Sequence, residues 1–422
     1  MAGRDYASAV PRLDPDDVAA FLRVLAAVED PADGADDPQV TLVRRAVHQA
    51  YKSRKKQQKT ERRHAVSAHD RRLVTEPATD GAELLRARDC YVCKSPYRRV
   101  PLAYPQMCER CATDNVARRD ARCDLRGRRA IVTGGRIKIG FHTALKLLRD
   151  GAEVIVTTRF PRDAARRFGE QPDAAGWLDR LHVHGVDFLD LPGVVGLVDA
   201  VTARWDHLDI LVNNAAQTIQ RPAQYHRELR RAEGLALTGP SSTVDFFPAG
   251  RVDETGEPLD LRPVNSWTLR LHEVTPREWM EVQVVNAFVP FLLIAQLRPL
   301  LQASPHPDRY VVNVSAMEGS FSRRNKTSRH PHTNMAKASL NMLTRTIAAE
   351  YVLDGIHVTS VDTGWVTDER PQPAKEALHE AGFRVPLDVV DGAARVYDPI
   401  VRGVHGDRVS GVFLKDYQVV QW

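Results

Sequence analysis

Residues 129–160 read RAIVTGGRIKIGFHTALKLLRDGAEVIVTTRF. The order is a strand, a glycine-containing turn, a helix and a second strand, which is the order dinucleotide binding requires. Gly134 and Gly140 permit the tight turn and close helix packing. The N-terminus of the following helix presents backbone N–H groups and a positive dipole to a pyrophosphate.

Downstream the same alternation continues. LHVHGVD, LDILVN, RYVVNVS, IHVTSVD and a last strand near Gly411–Lys415 are apolar runs separated by helical stretches. Continuous apolar strands of this kind predict a parallel sheet covered on both faces. The fold class is therefore α/β, a doubly wound Rossmann sheet of about seven strands in the order 3-2-1-4-5-6-7, preceded by a helical region and a small zinc ribbon.

Thr133-Gly134-Gly135, Ile139-Gly140, Asp187 after the third strand and Asn213-Asn214-Ala215-Ala216 after the fourth resemble the short-chain dehydrogenase/reductase family in order and spacing. The resemblance covers residues 124–422. It implies that Asp187 touches the adenine and that Asn214 and Ala215 line the central cleft. Lys138 stands where the family usually has its middle glycine, and an ammonium suits a pyrophosphate. The second strand ends in Thr157, Thr158 and Arg159 rather than an acidic residue. An acid there would repel a 2′-phosphate, so the cofactor expectation is NADP(H) over NAD(H).

The family reduces carbonyls or oxidises alcohols with Asn, Ser, Tyr and Lys, the last two four apart on one helix. Asn286 fits the Asn position and Lys337 the Lys. The other two positions depart. Ala316 aligns with the catalytic Ser, leaving Ser315 one place early, and the residue four before Lys337 is Thr333. An aliphatic hydroxyl is far less acidic than a phenol, whose reference pKa is about 10. His330, seven residues before Lys337, has the offset of the displaced Tyr in the related enoyl reductases; His332 and Glu318 are also near. A histidine titrates near neutrality and can move the proton. Gly364 and Thr367 match the segment that braces the nicotinamide in the family, although its Pro is missing.

Three readings follow: an oxidoreductase with an unusual proton donor, a nucleotide-binding sensor or scaffold without turnover, and a cofactor-requiring reaction that needs no tyrosine. The segment SAMEGSFSRRNKTSRHPHTN is rich in polar residues, which favours an enzyme. Its cations Arg323, Arg324 and Lys326 suit an anionic small-molecule substrate or a phosphate-bearing partner. Between Ala216 and Asn286 lie 69 residues, far more than the family's short connection. The excess, at about 218–275, reads as loop, and it leaves the sheet where α/β ligands bind. It is a lid, a partner surface or a plain excursion.

Ahead of the sheet, Cys90-Tyr-Val-Cys93 and Cys108-Glu-Arg-Cys111 are separated by 14 residues. Two such knuckles place four thiolates tetrahedrally around one Zn2+, and four leave no open position, so the metal is structural. Cys123 reads as a buried small residue. The domain expectation is a helical region over 1–80, the ribbon over 81–123 and the Rossmann domain over 124–422.

Within the first region, residues 14–29 read as an amphipathic helix capped by Asp14. A second helix runs from about Pro38 into a strongly basic stretch. Residues 1–40 carry nine Asp/Glu against three Arg, and residues 44–72 carry eleven Lys/Arg against Glu61 and Asp70. The basic helix can grip phosphates, so nucleic acid is a partner option, but a solvated or internally paired helix is favoured. A net charge of +5, no signal-like N-terminus and a longest apolar run broken by Pro290 give the expectation of a cytoplasmic chain without a membrane span. The family resemblance implies dimers or tetramers through the helices containing Lys337 and Phe288–Leu301.

Overall fold

The computed structural model describes residues 13–29, 37–75, 81–236, 245–253, 255–323 and 325–422. They divide into two compact units, Met1–Arg71 and Arg72–Trp422. The first holds α1 (Pro15–Glu29) and most of α2 (Pro38–Thr75). Asp14 accepts the N–H of Asp16 at 2.8 Å, which satisfies one of the donors a helix start leaves free. No residue of α1 is buried, and Val18, Phe21 and Leu22 are exposed on it.

The second unit opens with the hairpin β1 (Glu83–Asp89) and β2 (Pro96–Arg99), followed by α3 (Glu109–Arg119). The sheet then builds from β3 (Arg129–Val132), β4 (Glu153–Thr158), β5 (Leu181–Gly185), β6 (Ile210–Asn213), β7 (Arg309–Ser315), β8 (Ile356–Asp362), β9 (Val412–Lys415) and β10 (Gln418–Val420). Its order is β10-β9-β8-β7-β6-β3-β4-β5. Strands β3 to β9 pair in parallel and reproduce the expected seven-strand order; β10 adds an antiparallel edge.

The connecting helices are α4 (Lys138–Arg149), α5 (Pro161–Gly169), α6 (Leu191–Arg204), α7 (Arg227–Ala232), α8 (Pro276–Gln283), α9 (Val289–Gln302), α10 (Pro331–Tyr351), α11 (Gln372–Glu380) and α12 (Val389–Val404). Alternate residues of the strands feed two cores. Val312 and Val314 pack with α4 and α12, and Val311 and Val358 pack with α6 and α9. This explains why the strands read as unbroken apolar runs: both faces are covered. Helices α8 and α9, joined through a π-helical turn, form a 27-residue segment apolar enough to cross a membrane by composition, yet half of its most apolar stretch is buried. Leu293, Ile294 and Leu297 spend that apolarity on the second core.

A third core joins the hairpin to the sheet. Leu84, Cys90, Tyr97, Met107, Cys111 and Ala112 pack with Leu387, which lies just before α12.

Candidate active site and cysteine cluster

The chain leaves β3 toward β4 on one side, whereas β6 lies on the other. This topological switch opens a crevice at the carboxyl ends of the strands. Gly134 turns there with φ +66°, and a Cβ on it would lie 2.9 Å from Ala215 Cα. A Cβ on Gly140 would meet the Gly134 carbonyl oxygen at 2.3 Å. Thr133 Oγ1 accepts the N–H groups of Asn214 and Ala215, each at 2.9 Å. Asn214 Nδ2 donates to the Thr133 carbonyl at 2.9 Å. Lys138 adopts φ +53°, the left-handed region that favours glycine, which is the physical reason a glycine is usual at this place.

One continuous cleft of about 2820 Å3 runs from this loop past Arg159 and Asp187 at one end to Ser315, His330 and Lys337 at the other. Gly134, Lys138, Ile139, Gly140, Asn214, Ala215, Gly364 and Thr367 line it; Thr133, Gly135, Asn286 and His332 do not. Thr133 instead braces the Asn214 turn. Gly135 lies against β4, where a Cβ would come within 2.7 Å of Val156.

At the Arg159 end the long insertion supplies a wall. Tyr225, His226, Arg230, Glu233 and Phe247 line the cleft there. Arg159 Nη2 is 3.2 Å from His226 Nε2. Burial, together with Arg159 and Arg136, pushes the His226 imidazole down to about 2, so it stays neutral. Arg136 from the glycine loop is buried and donates to Asp163 at 2.8 Å and to both oxygens of Glu257 at 3.0 and 2.9 Å. The Glu233 carboxylate accepts the N–H groups of Arg162 and Asp163 at 3.2 and 2.9 Å. It thereby occupies the start of α5, where an anion would be favoured. The central part of the insertion, 237–244, lies outside the described residues.

At the other end Lys337 sits on α10 with its Nζ donating to the Val314 carbonyl at 2.7 Å. Burial pushes its amine down to about 8, against the attraction of Glu318. Ser315 Oγ and Thr333 Oγ1 are buried with no hydrogen-bond partner among the described residues, and both line the cleft. His330 caps α10 at φ +42°. Its ring stacks on Trp267 of the insertion at 3.9 Å and 7°, and Nδ1 lies 3.1 Å from Asn334 Oδ1. Burial, His332 and Arg323 lower its pKa, while Glu318 and Asn334 raise it, with a net fall.

His332 is wholly buried, its Nε2 3.5 Å from Glu278 of α8, so its imidazole faces the helix packing rather than the cleft. Asn286 lies in the π-helical turn Val284–Phe288. Its Oδ1 accepts Gln217 N–H at 2.7 Å and its Nδ2 donates to the Gln217 carbonyl at 3.2 Å. A π turn inside a helix is frequent at functional sites, and here it aims the amide at the strand β6 loop. Two cations of the polar segment are already engaged. Arg323 pairs with Glu318 at 2.5 Å, and Lys326 donates to the Glu318 carbonyl. Arg324 lies outside the described residues.

The sulfurs of Cys90, Cys93, Cys108 and Cys111 all lie within 4.8 Å of one another. A Zn–S bond of about 2.3 Å sets a tetrahedron edge of about 3.8 Å, so the donor set and its spacing fit one zinc ion. Cys123 stands apart, its Sγ 3.2 Å from Tyr397 Oη. Sequence reasoning missed three members of this region: Arg136, Glu257 and Tyr91. Arg136 was visible in the glycine loop, but its partner is 121 residues away. Tyr91 was visible only as a knuckle residue.

A family model described as short chain dehydrogenase matches residues 128–233, and one described as enoyl-(acyl carrier protein) reductase matches residues 264–389. The gap between them falls in the insertion. Among relatives, the short-chain dehydrogenase/reductase pyiH of Pyricularia grisea is 32% identical over 270 residues, 61% of this chain and 97% of that protein. An uncharacterized protein, R665, of Acanthamoeba polyphaga mimivirus is 35% identical over 338 residues, 74% of this chain and 71% of that one. (-)-Isopiperitenone reductase of Mentha piperita is 29% identical over 205 residues, 46% of this chain and 58% of that one. A crystal structure of NADPH-bound carbonyl reductase from chicken fatty liver aligns with TM-score 0.49 at 20% identity, covering 71% of this chain and all of that one. The match to pyiH over nearly its whole length, on the sheet order and glycine loop described above, places this chain in the short-chain dehydrogenase/reductase family.

Proposed function

We propose that the protein is an NADP(H)-dependent oxidoreductase that interconverts a carbonyl and an alcohol on a small molecule. The observation that carries this reading is the single cleft joining the Gly134–Gly140 loop to Lys337, whose amine is buried and held down to about 8. When bound, the reduced dinucleotide supplies a hydride to the carbonyl carbon and is itself oxidised. The residues of the chain must then deliver a proton to the carbonyl oxygen and hold the cofactor.

In this reading Lys337, charged at neutral pH, holds the ribose next to the nicotinamide. Arg159 favours the 2′-phosphate by charge. We assign the proton to His330, because it lines the cleft and Trp267 fixes its ring. Neither Ser315 nor Thr333 is acidic enough to replace a phenol. Their unpartnered hydroxyls are suited to hydrogen-bonding the substrate oxygen. Four cysteines hold a structural zinc in the same reading. Exposed Trp279, Met280, Phe288 and Phe291 on the α8–α9 segment and Met335 and Met342 on α10 support assembly through these helices.

Titration of the purified protein with NADPH and NADH, followed by a panel of carbonyl substrates monitored by cofactor oxidation, tests the reading. Tight NADPH binding and turnover abolished by Lys337→Ala are expected. Failure to bind either dinucleotide would sink it.

A further inference from the structure

The cysteine module is fastened to the cofactor cleft, and Tyr91 is the fastening that reaches into it. Tyr91 lies between Cys90 and Cys93, and its N–H donates to the Gln106 carbonyl at 2.9 Å, so the knuckle fixes its backbone. Its Oη accepts the N–H of Trp365 at 2.9 Å. Gly364 is beside it at φ +76°, and a Cβ there would stand 3.2 Å from Tyr91 Oη and 2.5 Å from Leu387 Cδ1. Both Tyr91 and Gly364 line the cleft.

Further contacts tie the same module to the start of α12. Tyr104 Oη donates to Asp391 at 2.5 Å. Arg119 bridges Asp388 and Asp391 at 2.7 and 2.8 Å. Next in the chain, a Cβ on Gly392 would come within 2.9 Å of Ile139, which belongs to the glycine loop helix. Gln106 donates to the Arg384 carbonyl at 3.0 Å. The module thus holds two walls of the cleft: the loop after β8 and the end of α12 that abuts the glycine loop.

We infer that Tyr91 is a positioning residue for the dinucleotide, and that metal occupancy of the four cysteines and dinucleotide binding are coupled through it. The inference rests on the NADP(H) and zinc readings above. Metal bound at Cys90 and Cys93 would clamp the knuckle that carries Tyr91 between them, and Cys90 and Cys111 are themselves buried in the module's small core with Leu84, Tyr97 and Met107. Loss of the Tyr91 hydroxyl removes the bond that ties Trp365 N–H to the module, which loosens the loop after β8 that in this reading braces the nicotinamide end. Coupling of this kind is reciprocal: the factor by which zinc tightens NADPH binding equals the factor by which NADPH tightens zinc binding.

The test uses the full zinc-loaded chain. NADPH affinity is measured by fluorescence titration for the wild type, Tyr91→Phe and Tyr97→Phe. Tyr97 donates to the Pro105 carbonyl inside the module, and its substitution removes a comparable bond away from the cleft. Zinc affinity is measured in parallel by competition with a chromogenic chelator, with and without saturating NADPH. Expected are NADPH binding about fivefold weaker in Tyr91→Phe, unchanged in Tyr97→Phe, and zinc held more tightly in the wild type when NADPH is present. NADPH affinity within twofold of wild type in Tyr91→Phe, or zinc affinity indifferent to NADPH, overturns the inference while leaving the oxidoreductase reading standing. A wild type that binds no NADPH, or holds no zinc, overturns the corresponding reading and this inference with it.

Discussion

Glu257, from an insertion that the sheet does not need, accepts two hydrogen bonds at 3.0 and 2.9 Å from Arg136 in the glycine loop. The pair lies buried and is shared with Asp163 at 2.8 Å. A cation at the Arg159 end of the cleft is therefore neutralised by the chain's own carboxylates, which leaves Arg159 as the exposed charge beside His226.

Removing the Glu257 charge should sharpen the choice of cofactor. Glu257→Gln keeps the shape and one acceptor, and Asp163 still holds Arg136. NADPH affinity should rise about tenfold relative to NADH, the scale of one gained charge-assisted hydrogen bond. Parallel titrations with the two dinucleotides read it. Equal weakening of both would make Glu257 a brace alone.

Lys337 sets up a conflict between stability and binding. Burial lowers its amine from 10.5 to about 8, so the native state disfavours the charged form by about 3 kcal/mol. Below pH 8 the amine is charged in both folded and unfolded chains and the full penalty applies. Between about 8 and 10.5 the native chain has lost the proton and the unfolded chain has not, so stability should rise with pH across that window. Lys337→Met should raise the melting temperature at pH 7 and weaken NADPH binding. In the wild type, NADPH affinity should fall as pH climbs through about 8, and the variant should lack that step.

His330 should give turnover a direction-dependent pH profile. Its pKa is lowered, chiefly by burial, so the protonated form needed to reduce a carbonyl accumulates only below the usual histidine value. Reduction should accelerate as pH falls, and alcohol oxidation should accelerate as pH rises until the neutral form saturates. His330→Gln should lose turnover by about a hundredfold or more and retain NADPH affinity. Thr333→Val, which removes an unpartnered hydroxyl, should cost less than tenfold. A larger loss in Thr333→Val than in His330→Gln would reverse the two roles.

Metal analysis should find one zinc per chain, and Cys108→Ser should lose it. Cys108 starts α3, and its N–H donates to Cys90 Sγ at 3.3 Å. Its replacement should lower the melting temperature of the whole second unit, because the module shares a core with Leu387. A separate, earlier transition confined to the module would contradict that.

The strand order was legible because the central strands are apolar on both faces and helices connect the parallel strands, a pattern with few topological solutions. The glycine loop was legible for a related reason: Gly134 and Gly140 are required by backbone crowding within a short span of chain. His330 and His332 show the opposite case. Two residues apart on the chain, both were candidates, with only the offset from Lys337 setting His330 ahead. Their positions at the start of α10 send one ring against Trp267 in the cleft and the other against Glu278 in the helix packing.

By itself the sequence determined the parallel sheet, the cysteine set, the glycine turn and the loss of the tyrosine, since each depends on local spacing or residue type. Tertiary structure alone decided that Glu257 neutralises Arg136, that the insertion walls the cleft and that Tyr91 meets Trp365 across 274 residues of chain. Those relationships come from how α7, the knuckle and the loop after β8 pack on a finished sheet. No short stretch of chain encodes a contact whose two halves meet only when the core between them has formed.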